Sequence, residues 1–422
     1  VFLTKPEIFI AAWLTTIVAM FADWYRRRQT LRTFLREAAV VKATAFAAPL
    51  LAFGLLASAL PVGEAIKGIC GGWIYVFQEE LTSLQFYAVG RGTDDLALSC
   101  TKILEWLGWY LAFVIPGIGL AWLLGKPGGG GRRRPDWLNP TLAVVLALSP
   151  LVIPTLPYVV SIRPVLVFTL TIALVLWIKF RRHRDQRSMQ GLVLCALALG
   201  LLPKIFLNVR FVHYGFGLAF PATLLSVVAL LYWIPRDLNR RGWAGGVFRG
   251  LGVGMLLMIF FGCLQFVDKW IGDKKLVTGG EHEQFRSRNT ELSAPADFAI
   301  RWLLKNTKPT DTVVVLPEGI SINYFARRIN PTGQINFMPP EIIMYGESQV
   351  LARLQAQAPD YCLVVHRETS EYDLPLFGTD YGTSIMSWVG QNYRAVHLLG
   401  AEPLHKDRLK DGLAGMLIMR KR

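Results

Sequence analysis

Eight apolar stretches divide the first 267 residues of the 422-residue chain, and the loops between them alternate between strongly basic and nearly charge-balanced. An α-helix rises about 1.5 Å per residue, so about 20 apolar residues are needed to cross a hydrocarbon layer about 30 Å thick. The fold class expected is therefore an α-helical multi-pass membrane domain, with spans at 8–24, 39–60, 102–124, 138–157, 164–180, 189–203, 214–233 and 251–267. Composition agrees, since 53% of residues are hydrophobic and only 18% are charged. Pro150, Pro154 and Pro157 interrupt the fourth stretch, which a membrane helix tolerates where neighbours resatisfy the freed carbonyls.

The net charge of +15 points to topology rather than to nucleic acid. Segments 23–38, 124–136, 179–187 and 236–249 together hold eighteen Lys and Arg against five Asp and Glu, and they are every second loop. Cytoplasmic loops carry this bias. The first span then runs from outside to inside, and loop 61–101 and the region 268–422 both lie outside. The last region holds 19 basic and 18 acidic residues, which suits a soluble domain without a polyanionic partner. Two domains follow: a transmembrane domain over 1–267 with its outer loop 61–101, and an extracytoplasmic α/β domain over 268–422.

The second domain reads as alternating helices and strands. Helix 294–306, with Ser293 as a cap, precedes strand 312–316 and the turn Pro317-Glu318-Gly319. Helix 349–356 leads to strand 361–365, and helix 384–391 leads to strand 395–399. Residues 413–419 are expected to return antiparallel at an edge, completing a small three-layer sheet. In the outer loop, the aromatic run Gly72–Phe77 suits the headgroup layer, where Trp and Tyr are favoured.

No Cys/His pattern suggests a metal. Cys70 and Cys100 share the outer loop, as a disulfide or as two free thiols. Glu281-His282-Glu283 reads as a solvated junction. Gly125-Lys126 lacks the hydroxyl residue a P-loop needs, because Pro127 follows the lysine. The four glycines 128–131 beyond it read as a flexible linker.

Basic residues expected on the outer face are few. Lys5 lies at the mouth of the first span, Arg163 between spans four and five, and Lys204 and Arg210 between spans six and seven. Each opposes the inside bias, and each either snorkels to the headgroups or joins a cationic pocket for a lipid phosphate.

Leu3-Thr4-Lys5-Pro6-Glu7, opening a helix, and Asn208-Val209-Arg210-Phe211-Val212-His213-Tyr214-Gly215-Phe216, leading into Pro221, resemble bacterial membrane glycosyltransferases of the GT-C superfamily. The nearest set is family 39-like, related to protein mannosyltransferases and the lipid A aminoarabinose transferase. Leu316-Pro317-Glu318-Gly319 and Phe377-Gly378-Thr379-Asp380-Tyr381-Gly382 are similar to C-terminal domains of such proteins. The resemblance implies an inverting hexosyl- or pentosyltransferase in the bacterial cytoplasmic membrane. Its donor is a polyprenyl-phosphate sugar, and its acceptor a glycan, lipid or protein. A carboxylate acts as general base, and cations stabilise the leaving phosphate. Lys5 and Arg210 are first choices for the donor phosphate, with Lys204 and Arg163 behind them. His213 and Tyr214 orient phosphate or sugar, or anchor at the interface. No cofactor is implied, and a divalent metal requirement is left open.

The family's catalytic carboxylate normally lies in its first outer loop. This sequence opens at the mouth of a helix, so the base is expected upstream of residue 1, with Asp94 and Asp95 as the acidic candidates within the chain. The competing reading is a transporter or flippase for a lipid-linked saccharide. It calls for ionisable groups near mid-membrane and for internal repeats. Lys42 and Glu105 lie near span ends, and no repeat is visible.

Overall fold

The computed structural model describes residues 5–125, 138–149, 161–211, 215–280, 283–288, 290–404, 409–410 and 413–422. It is mostly helical and divides into two compact units. One comprises Val1–Phe77 with Tyr87–Gln265, and the other Gln78–Phe86 with Phe266–Arg422.

The helices up to residue 272 are α1 (Pro6–Arg27), α2 (Leu31–Ala57), α3 (Val62–Val76), α4 (Glu79–Thr82), α5 (Gln85–Arg91), α6 (Leu96–Leu123), α7 (Leu138–Leu148), α8 (Val165–His183), α9 (Gln186–Leu201), α10 (Gly215–Val228), α11 (Ile234–Arg240) and α12 (Gly245–Gly272). Among the described residues, five runs are long and apolar enough to cross a membrane: Pro6–Arg27, Leu31–Ala57, Gln85–Leu123, Gly215–Arg240 and Gly245–Gly272. The sequence suggested eight. The difference lies in α7, α8 and α9. Helix α7 is described over 11 residues, and the rest of the fourth expected span lies outside the described residues. Helix α8 ends in Arg181 and Arg182, and α9 has only 16 residues, about 24 Å of helix.

Helix α9 forms the centre of the first unit. It packs against α1, α8 and α10. Its small residues Gly191, Ala196, Ala198 and Gly200 are buried, which lets neighbouring backbones approach closely. A Cβ at Gly200 would lie 2.7 Å from the Cα of Ala11, so only glycine fits this crossing. Helices α1 and α9 run antiparallel. Glu7 meets Lys204 at one end of the pair, Ala11 meets Gly200 between, and Tyr25 lies under Arg184 at the other end. Val165, Leu176, Cys195, Leu202, Ala222 and Leu225 extend this core across α8–α10. On α12, Gly250 and Gly254 abut the carbonyls of Ala143 and Leu146 on α7, a second contact that has no room for a side chain.

The second unit holds the hairpin β1 (Leu276–Gly279) and β2 (Gln284–Ser287), then α13 (Thr290–Asn306), β3 (Val313–Leu316), α14 (Ile320–Ala326), α15 (Pro339–Tyr345), α16 (Glu347–Ala356), β4 (Tyr361–Val365), α17 (Thr383–Asn392), β5 (Tyr393–Leu399), the two-residue strands β6 (Leu409–Lys410) and β7 (Leu413–Ala414), and β8 (Met416–Lys421). The main sheet has the order β3-β4-β8-β5, with β3 and β4 parallel and β8 antiparallel to both its neighbours. Strand alternation sends Val313, Val315 and Leu363 onto α13 and α14, and Val314, Cys362 and Val364 onto α16 and α17. This is a three-layer arrangement with helices on both faces.

Two expectations change. The strand expected at 413–419 lies inside the sheet, not at its edge, because Met416, Ile418 and Met419 are buried whereas β5 is largely exposed. Helix α13 begins at Thr290, so Ser293 sits inside its first turn and its hydroxyl meets that of Ser287 instead of capping. The segment Gln78–Phe86 also belongs to this unit: the Gln78 amide donates to the carbonyl of Ile343 (3.5 Å), and Phe86 packs on Tyr372 (5.1 Å between centroids).

Candidate functional site

The site begins where α9 ends. After a short 3-10 turn at Leu202–Lys204, residues 205–211 loop back over the end of α5. The backbone N–H of Leu207 donates to the carbonyl of Arg91 (3.1 Å), and the Asn208 amide donates to the carbonyl of Val89 (2.6 Å). Gly92 permits this approach. It has φ of 77°, and a Cβ there would lie 2.8 Å from the Ser99 hydroxyl and 2.9 Å from Leu207.

Buried Asn208 then organises two arginines. Its Oδ1 accepts from Arg163 Nη2 (2.8 Å) and from Arg210 Nε (3.0 Å). Among the described residues, neither guanidinium has a carboxylate within 4.0 Å. Arg163 is half-buried, and its enclosed Nε has no partner among the described residues. Burial pushes the pKa of Arg163 down and the like charge of Arg210 adds to this, while Asp94 and Glu105 oppose it at longer range. Each arginine has five N–H donors and gives one to Asn208. Two cations held side by side on a neutral acceptor form an arrangement to which an oxyanion supplies the missing charge.

The other sequence candidates are placed differently. Lys204 forms an ion pair with Glu7 (3.0 Å), so its charge is matched. Lys5 stands exposed at the N-cap of α1, close enough to Glu7 to act on it electrostatically. The four expected phosphate cations thus divide into an arginine pair and a lysine–glutamate group. Asp95 caps α6, its Oδ1 accepting from the Leu98 N–H (2.8 Å). Asp94 is exposed. His213 and Tyr214 lie outside the described residues, as do Leu3, Thr4, Lys126, Gly128–Gly131 and Arg132–Arg134.

Sequence reasoning gave no role to Glu7, Asn208 or Gly92. Asn208 stood in the quoted motif two residues before Arg210, but its partner Arg163 is 45 residues away, and spacing carries no trace of that pairing. Cys70 and Cys100 are both free thiols. Glu283 pairs with Arg327 (3.0 Å), whereas Glu281 and His282 lie outside the described residues. Among the described residues, no three His, Cys, Asp or Glu side chains converge as metal ligands. Comparison with family models, with curated proteins and with solved structures gave no match.

Proposed function

We propose that this chain is a membrane glycosyltransferase of the GT-C type, moving a sugar from a polyprenyl-phosphate carrier to an acceptor at the outer face of the bacterial cytoplasmic membrane. The observation that carries this reading is the clamp in which Asn208 holds Arg163 and Arg210 side by side. As the bond from the anomeric carbon to the carrier phosphate breaks, negative charge collects on the departing phosphate. Guanidiniums fixed in advance stabilise that charge without reorganising. The attacking acceptor hydroxyl approaches from the opposite side of the ring, so configuration inverts. The hydroxyl proton passes to a carboxylate acting as general base.

In this reading α7, α8 and α9 add three crossings to the five long apolar runs, and the second unit lies outside. The alternation of loop charge supports that topology. The grouping of Gln78–Phe86 with Phe266–Arg422 supports a common side for loop 61–101 and the C-terminal domain.

The test uses the full chain in proteoliposomes, with native mass spectrometry for retained polyprenyl monophosphate and a panel of labelled polyprenyl-phosphate hexoses and pentoses for transfer. Each Arg→Ala change removes a charge-assisted contact and is expected to weaken phosphate retention about 10- to 100-fold, with membrane insertion intact. Unchanged retention and transfer in the Arg163→Ala, Arg210→Ala double variant would overturn the assignment.

A further inference from the structure

At the opposite end of the α1–α9 pair, the sequence places a different set of cations. Helix α1 has 22 residues, about 33 Å, so its two ends lie near the two surfaces of the hydrocarbon layer it is long enough to cross. Its C-terminus carries Arg26, Arg27 and Arg28, the last turn of α8 carries Arg181 and Arg182, Arg184 follows in the link, and Arg187 opens α9. Asp23 and Asp185 lie among these seven arginines, and Glu37 and Asp237 lie nearby, accepting from Gln29 (3.2 Å) and Lys179 (3.4 Å). Asp23 is shared by Arg26 and Arg27 (2.8 Å each), and Asp185 is the N-cap of α9, accepting from the Ser188 N–H (2.8 Å). Among the described residues, the other five arginines have no carboxylate within 4.0 Å.

Two of these five arginines end helices. Arg28 and Arg184 each end a helix in the left-handed conformation, with φ of 54° and 49°. That position usually falls to glycine or asparagine, because a side chain there costs about 1–2 kcal/mol. The two turns are joined by Tyr25, whose ring lies 4.4 Å beneath the Arg184 guanidinium and 5.8 Å from Phe180. Helix C-termini carry partial negative charge, which favours these cations but leaves most of their N–H donors open. One turn into the apolar zone, Phe21 (51% exposed) precedes Tyr25 by four residues with its ring against Trp24 and Phe34, and Trp177 (48% exposed) packs on Phe180; both leave apolar surface open to hydrocarbon.

We propose that this seam is a binding site for the headgroup of an anionic phospholipid. The phosphate sits between Arg28 and Arg184, and the acyl chains lie along Phe21 and Trp177. Charge complementarity selects the occupant: unpaired planar donors stand at the depth of the headgroups, above an aromatic surface at the depth of the acyl chains. Basic pockets between membrane helices recognise such headgroups by this combination. The assignment is independent of the sugar-transfer reading, which concerns the other end of the helix pair.

The experiment incubates the full chain in detergent with equal amounts of dioleoyl phosphatidylglycerol and dioleoyl phosphatidylcholine, and counts bound lipids by native mass spectrometry. The unaltered chain is expected to retain phosphatidylglycerol preferentially. Each cation lost from the seam should lower that preference about fivefold, so the Arg28→Gln, Arg184→Gln variant should largely abolish it. Arg181→Gln, Arg182→Gln removes the same charge from within α8 and should keep most of it. Tyr25→Leu keeps every charge and should still weaken binding several-fold, because Arg184 loses its platform. Thermal unfolding of each variant checks its integrity. No preference in the unaltered chain would overturn the proposal, as would equal losses in the two double variants, which would indicate diffuse charge. Excess inorganic phosphate should leave the lipid bound. Displacement by phosphate alone would reassign the seam to a free anion and equally overturn it.

Discussion

The two ends of the antiparallel α1–α9 pair use the same cationic side chains in opposite ways. At the Tyr25 end, arginines are dense and adjacent in sequence, and most contacts are local, namely an i,i+3 and an i,i+4 contact to Asp23 and a helix C-terminus, with the Tyr25 ring under Arg184 as the long-range exception. At the Glu7 end cations are sparse, and what fixes them spans long sequence distances. Lys204 reaches Glu7 across 197 residues, and Asn208 reaches Arg163 across 45 and Val89 across 119. Local density reports which way a helix crosses the membrane. Long-range fixation of a few cations by a neutral amide reports a site, because ordering them serves no purpose in topology and must be maintained by the fold.

The strongest way to break this contrast is Asn208→Leu. It removes the acceptor shared by both arginines and the tie to Val89, so polyprenyl-phosphate retention should fall about 10- to 100-fold, given roughly 1.5–3 kcal/mol for hydrogen bonds to charged groups. Retention at the unaltered level would show that the arginines need no organiser. Next in size is Gly200→Val, which strikes the crossing between the two ends. Overpacking there should cost about 1–3 kcal/mol in thermal unfolding and impair phosphate and phosphatidylglycerol binding together. Loss at one end alone would mean that the pair does not act as a rigid rod.

Smaller effects sharpen the comparison. Asp185→Ala should cost about 1 kcal/mol at neutral pH, the usual worth of a cap. Burial works against this carboxylate, but hydrogen bonds from Ser188 hold its pKa below the ordinary value. Its contribution is therefore present above the unfolded-state pKa and is lost as pH falls through the folded one. The gap between Asp185→Ala and the unaltered chain should close in acid, as seen by melting temperature across pH. A gap that widens in acid would refute the capping role. Smallest is Arg27→Ala, at or below about 0.5 kcal/mol, because its pair with Asp23 is exposed and local.

How much of this the sequence disclosed follows the same division. Apolar runs and loop charges gave the long helices, since both are local properties. The β-branched runs 312–316 and 361–365 became β3 and β4 for the same reason. Neighbour relations were hidden. Nothing in Met416–Lys421 states that it lies between β4 and β5, and nothing in Gly200 names Ala11 as its contact. The central place of α9 was also hidden, because an apolar residue serves equally well against lipid or against protein. The arginine pair was half legible: both residues were nominated, but for their location, and the amide joining them was not.

The place of β8 in its sheet has a consequence for synthesis. Every other strand of that sheet precedes it in the chain, yet β4 and β5 meet only through β8. The β3–β4 pair and the β5 strand must wait side by side until Met416–Lys421 leaves the ribosome. The long apolar helices are by then already made. The second unit therefore closes after the membrane helices are delivered, and until then β4 and β5 present open edges that the emerging segment, or a chaperone, must cover.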